Sequence, residues 1–213
     1  MRFRSFLLLS MVMASVCSFG CAQPPAPFPA GRLVDLTHAF SEETLYWPTA
    51  KSFALEKVAD GVTSGGYYYA ANNFSAAEHG GTHLDAPIHF SAGKFTSDQI
   101  PLEQLLGAAI VVDVSAAAAT NRDYQVRVAD FAAWEQAHGK IPDQAIVLLR
   151  TGYGKFWPQR EAYLGTSEFG AEAVAKLHFP GLHPEAAKWI VENRKLSAIG
   201  LDTPSIDYGQ STS

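Results

Sequence analysis

The chain predicts an α/β fold, a single domain with a mixed central sheet and flanking helices, and three observations carry that prediction. Residues 108–114 and 145–149 are continuous apolar runs of strand length, which suits buried strands. Between them, residues 128–138 place Phe131, Trp134 and Ala137 at helical spacing with Gly139 at the stop. Strand, helix and strand in that order call for a parallel crossover. Roughly 180 residues follow the N-terminal segments, enough for one sizeable core, and nothing in the chain repeats.

Residues 1–22 have the form of a secretory signal peptide, with Arg2 and Arg4, an apolar run over 6–16, and small residues around Ser18, Gly20 and Ala22. The apolar run is shorter than the roughly 20 residues of a membrane span. An exported protein, periplasmic or secreted, is therefore expected. Both cysteines, Cys17 and Cys21, lie in this segment, so the domain is expected to hold no disulfide. Residues 18–21 also resemble a lipoprotein cleavage site, which makes Cys21 a candidate lipid anchor. Residues 23–31 carry prolines 24, 25, 27 and 29 and read as an extended linker. The domain then runs from 32 to 213. A formal net charge of −5 excludes the basic footprint of a nucleic-acid partner.

Within the domain, residues 32–37 alternate apolar and polar through Leu33, Val34 and Leu36 and predict a first strand. Tyr46, Trp47 and Pro48 follow in a loop; ordinary core packing and the wall of an aromatic substrate pocket are both open for these rings. Residues 52–58 and 66–75 have strand character, the second through Tyr67, Tyr68, Tyr69 and Phe74, and this run leads into a histidine-rich stretch. After it, residues 101–106 predict a short helix stopped by Gly107, and residues 116–121 a loop. The glycine- and aromatic-rich segment 151–158 lacks the spacing of a phosphate loop and reads as a pocket rim or subunit contact. A short helix is expected over 171–177. Another runs from Pro184 to about Asn193 with Ala187, Ile190 and Val191 inward. His178 and His183 flank the turn between them and read as turn and cap residues. Residues 198–201 form a last short strand.

The stretch His79-Gly80-Gly81-Thr82-His83-Leu84-Asp85-Ala86-Pro87-Ile88-His89 concentrates three histidines and one carboxylate. Two glycines and a proline oppose a helix, so the segment is extended or looped. Strand alternation would set His83, Asp85 and His89 on one side, and the glycines would let the backbone fold back to bring His79 to them. Imidazoles with a carboxylate form a donor set suited to Zn²⁺, Mn²⁺ or Fe²⁺, and the absence of thiolates argues against a closed structural zinc site. Three protein ligands leave a position for water.

The stretch resembles the H-x-G-T-H-x-D-x-P-x-H signature of the cyclase family of metal-dependent hydrolases, which includes bacterial kynurenine formamidase and isatin hydrolase. The resemblance implies a swivelling β/β/α-like domain. It also implies that His79, His83 and Asp85 are metal ligands and that His89 is the acid/base residue. Residues 200–207, Gly-Leu-Asp-Thr-Pro-Ser-Ile-Asp, resemble a second family segment, G-x-D-T-x-S-I-D, which packs close to the metal site. Asp202 and Asp207 are thereby candidates for orienting a ligand histidine; turn capping is the other reading of both. Trp47 and Phe74 are candidate pocket residues.

The family pattern continues to a further histidine and a glutamate that do not occur after Ser213, so the C-terminal part of the domain is expected to be missing. The implied activity is hydrolysis of a C–N bond in a small amide or cyclic amide with Zn²⁺ or Mn²⁺ as cofactor, in a homodimer or higher homo-oligomer. An esterase or lactonase would use the same centre. A non-catalytic exported binding protein would keep the fold without turnover.

Overall fold

The computed structural model describes residues 31–212; the signal-like segment, Cys17, Cys21 and all of the proline-rich linker before Gly31 lie outside the described residues. The chain divides at Leu36 and Thr37 into two units. Of the first, residues 31–36 have no regular secondary structure, and Leu33, Val34 and Leu36 are exposed. The strand expected over 32–37 is thus not formed. Alternation supplies a face but does not by itself set the backbone pairing that makes a strand.

The second unit begins with an antiparallel hairpin of β1 (Ala54–Val62) and β2 (Tyr68–Ser75). Three short 3₁₀ turns follow. The last, Leu102–Gln104, stands where a short helix was expected. The remaining elements are β3 (Ala109–Asp113), α1 (Ser115–Thr120), β4 (Gln125–Val126), α2 (Val128–His138) and β5 (Ile146–Arg150), then a fourth 3₁₀ turn (Tyr153–Phe156), α3 (Arg160–Leu164), α4 (Ala171–Val174), β6 (Gly181–Leu182), α5 (Pro184–Asn193) and β7 (Ala198–Leu201). Helix α1 replaces the expected loop over 116–121. Its run of alanines has the best helix propensity of any residue, and Asp113 Oδ1 accepts from Ser115 N–H at 2.9 Å and from its hydroxyl at 2.6 Å.

The strands β3, β5 and β7 form a parallel sheet in the order β3-β5-β7, and β4 pairs with β6 in a second parallel sheet. Parallel and antiparallel pairing are both present, in separate sheets, with helices packed around them: an α/β fold. The predicted crossover is the connection from β3 through α2 to β5. As the central strand, β5 buries Val147 and Leu149 completely. Strand β3, expected to be buried throughout, is an edge strand. It buries Val112, while Val111 is 47% exposed on its other face. The main core packs Phe131 of α2 and Ala186 and Ile190 of α5 against this sheet. Val191 of α5 points outward, contrary to the helical spacing read from the sequence, and Ala186 takes the inner position instead.

A second buried cluster, Tyr153, Tyr163, Leu164, Leu177 and Phe179, has Trp47, Phe156 and Trp157 packed on it. The segment after β7 is tied down beside it, since Leu182 N–H donates to Ile206 O at 2.7 Å and Gly209 N–H to Phe179 O at 2.9 Å. A side chain at position 181 would overlap the backbone of Asp207 and Tyr208, so glycine is required for this approach. Residues 203–206 are held there as a wall. Among the described residues, no helix is long and apolar enough to cross a membrane.

Candidate metal centre and active site

The histidine stretch is shaped by contacts with the loop around Tyr46. Tyr46 and Gly80 form an isolated antiparallel bridge, and Gly81 N–H donates to Leu45 O at 3.4 Å. Gly81 has φ +63, a conformation that costs glycine little, and there the chain folds back as its sequence predicts. A Cβ at position 80 would overlap the Tyr46 ring, so the close approach of the two segments depends on glycine there as well. Thr82 Oγ1 accepts from His38 N–H at 2.9 Å, which anchors the following residue, His83.

Residues 83–86 have no regular structure and residues 87–89 form one 3₁₀ turn, with His89 N–H donating to Ala86 O at 2.9 Å. His89 therefore reaches the cluster through a turn and not by strand alternation. Pro87 starts this turn at a fixed φ and removes an N–H that strand pairing would need.

The four side chains converge. Asp85 Oδ1 lies 2.6 Å from His79 Nδ1 and 3.1 Å from His83 Nε2. The His89 ring stacks on His79 with centroids 3.5 Å apart, and the rings of His79 and His83 meet edge to face. His79, Asp85 and His89 also offer ligand atoms that all lie within 4.8 Å of one another, so the cluster can hold a metal ion. The other ring nitrogens strengthen that fit. His79 Nε2 is 3.4 Å from Glu78 Oε1, and His83 Nδ1 is 3.1 Å from Gly81 O. An outer acceptor on the far nitrogen is what fixes the tautomer of a metal-ligating imidazole.

The cluster opens into a cavity of about 450 Å³. Trp47, Phe90, Trp157 and Tyr163 give it aromatic walls, and residues 203–206 line it as well. Tyr163 is buried, and burial pushes its phenol pKa well up; its hydroxyl donates to Asp202 O at 3.3 Å. Trp157 is stacked on His38 at 4.6 Å and packs edge-on against Tyr163.

Of the candidate residues, Trp47 lines the cavity and also packs on the second core. Phe74 is 75% exposed, is not among the cavity-lining residues, and stacks on Phe53. Asp202 takes the turn role: its carboxylate accepts from Thr151 N–H (2.8 Å), Thr151 Oγ1 (2.7 Å) and Gly152 N–H (2.8 Å). It thereby fixes the segment carrying Trp157 and the start of the wall at Thr203, and touches no site histidine in these bonds. Asp207 N–H donates to Ser205 Oγ at 3.3 Å, and burial pushes its carboxyl pKa up. His183 caps α5, with Nδ1 accepting from Glu185 N–H at 3.1 Å. His178 is paired with Asp123 at 2.8 Å, a carboxylate that only the tertiary structure brings to it.

Sequence reasoning missed Glu78, Phe90 and Tyr163. Glu78 stands next to His79 and was open to notice. Tyr163 sits in a short helix with no distinguishing pattern.

Residues 34–208 match the family model described as "Putative cyclase". The isatin hydrolase of Roseibium aggregatum is 31% identical over 151 residues, 69% of this chain and 55% of that protein. The matched part thus spans about half the length of that curated relative. The kynurenine formamidase of Salinibacter ruber is 26% identical over 84% of this chain and 73% of its own. Among solved structures, isatin hydrolase A from Ralstonia solanacearum superposes with a TM-score of 0.73 at 34% identity, over 85% of this chain and 70% of that one. With the family model matched over most of its length and the folded unit shared, the chain belongs to the cyclase family.

Proposed function

We propose that the protein is a metal-dependent hydrolase that cleaves the C–N bond of a small aromatic amide or cyclic amide. The observation that carries this is that His79 and His83 each contact Asp85 Oδ1 while His79, Asp85 and His89 offer ligand atoms within 4.8 Å of one another, at an aromatic-walled cavity. Relatives named isatin hydrolase and kynurenine formamidase agree with that chemistry.

His79, His83 and Asp85 would hold the ion, Zn²⁺ or Mn²⁺, since imidazole and carboxylate donors suit both. When bound, the ion supplies a Lewis acid for the amide carbonyl and brings the ionisation of water toward neutral pH. His89 stands free of the strand ladder at the cavity edge. Imidazole changes charge near neutral pH, which fits it to pass a proton to the departing nitrogen. Trp47, Trp157 and Phe90 seat a flat ring and keep bulk water from it.

Metal analysis alongside turnover of isatin and an arylformamide tests the assignment. Asp85→Ala is expected to lose the ion and with it activity. For His89→Ala the ion should remain while kcat falls by about 10²–10⁴-fold. Stoichiometric metal in Asp85→Ala would refute the ligand assignment, and loss of metal in His89→Ala would make His89 a ligand instead. Chelation should abolish turnover and added Zn²⁺ or Mn²⁺ restore it. In the same proposal the protein is exported by its first 22 residues, with Cys21 as a candidate lipid anchor, and works as a homodimer or larger homo-oligomer. The hairpin β1–β2 supports the last point, because it leaves Leu55, Val62, Tyr68 and Phe74 exposed.

A further inference from the structure

Trp157 is half-buried, lines the cavity and packs edge-on against Tyr163 with centroids 5.6 Å apart. Its backbone is fixed by the turn before it, where Trp157 N–H donates to Gly154 O at 3.2 Å. Ring contacts hold the indole. The closer of the two comes from a residue that does not line the cavity: the His38 imidazole lies nearly parallel to the indole, with centroids 4.6 Å apart and planes inclined by 19°.

His38 is itself placed by the histidine stretch. Its N–H donates to the Thr82 hydroxyl at 2.9 Å, one residue before His83. The imidazole thus bridges the proposed metal-binding segment and the cavity wall. It is exposed, and at such a position an imidazole can give a face to the indole while its ring nitrogens stay toward water. With one face of the indole covered by His38, the surface that Trp157 offers the cavity is its edge or its other face. A half-buried indole that is ordered only when a ligand arrives takes the cost of that ordering out of affinity. Stacking on its far side meets that cost beforehand.

We propose that His38 is a positioning residue, whose imidazole stacks on Trp157 and holds the indole ready for the flat ring of the substrate. It acts through Trp157 and not on the bond that breaks. The seating of a substrate rests on the reading of the site as an aromatic-amide hydrolase; the holding of the indole does not.

Two measurements on the full chain test the two halves. In the first, the free protein carries fluorotryptophan, and the fluorine resonance of Trp157 is assigned by its loss in Trp157→Phe. That resonance should be sharp in the wild type and in His38→Phe, and should shift and broaden in His38→Ala. A resonance unchanged by His38→Ala would overturn the proposal. In the second, the metal-loaded chain turns over isatin. His38→Ala should raise KM about fivefold while kcat and metal content stay within about twofold of wild type. The ring of His38→Phe should bring KM back to within about twofold, and adding His38→Ala to Trp157→Ala should raise KM no further. An unchanged KM in His38→Ala, a loss that falls on kcat, a failed rescue by phenylalanine, or an equal rise of KM in the Trp157→Ala background would overturn the proposal and leave the hydrolase reading intact. A metal-loaded wild type that neither turns over nor binds isatin would remove both.

Discussion

Gly80 and Tyr46 make one steric unit, because the ring of one occupies the place of the other's missing side chain. Gly80→Ala should push the ring aside, break the bridge between the two segments and displace His79. We expect metal affinity to fall at least tenfold, with Tyr46→Ala in the same chain recovering part of it; isothermal titration with Zn²⁺ on the single and double variants measures the coupling. Glu78 is the other residue that bears directly on the proposed ligands. Its carboxylate faces the ring nitrogen of His79 turned away from Asp85, and Glu78→Gln should weaken metal binding by about tenfold. Neither effect is visible from the ligand set alone.

Helices α2 and α5 are tied by Glu135 and Arg194, whose guanidinium donates from Nε to Oε1 at 2.7 Å and from Nη2 to Oε2 while lying over the Trp189 ring. Glu135 Oε1 also accepts from Ile141 N–H at 2.9 Å, which closes the turn after α2. Hydrogen bonds from Arg194 hold the Glu135 carboxyl below the usual glutamate range. A depressed carboxylate contributes stability above its unfolded pKa and loses it as pH falls through the folded value. Stability should therefore drop below about pH 4.5, and Glu135→Gln should cost about 2 kcal/mol at pH 7 while flattening that acid limb. Denaturant titrations at pH 3.5, 5 and 7 test both. Asp202 does the comparable work for the segment after β5, and Asp202→Asn should loosen Trp157 and Thr203 together, raising KM with little change in metal content.

Taken whole, the unit from Thr37 onward has a well-filled core on the β3-β5-β7 sheet and a poorly covered hairpin. A two-stranded hairpin is marginal in water by itself, and the cross-strand pair Leu55 and Phe74 is exposed on both sides. Sedimentation is expected to give a mass above the 23.0 kDa monomer, with Leu55→Glu and Phe74→Glu together returning it to one chain; a wild-type monomer at micromolar concentration would refute the homo-oligomer. Residue spacing alone was enough for the central strand, the helices α2 and α5 and the gathering of the histidine stretch into a cluster that can hold a metal ion, because apolar periodicity, glycine and proline stops and donor chemistry act locally. The same local rules misplaced a strand at 32–37, where the chain has no regular secondary structure, and the inner face of α5, which is set by the sheet it packs on. They also could not assign Asp202, whose acceptors are spent on Thr151 and Gly152 some fifty residues away. What the sequence by itself determined is the set of donor types gathered at the cluster and the fold class. Only the tertiary structure decided that Asp85 lies between two imidazoles, that His89 arrives on a 3₁₀ turn and that Tyr46 stands in for a side chain at position 80, since each depends on segments that meet across space.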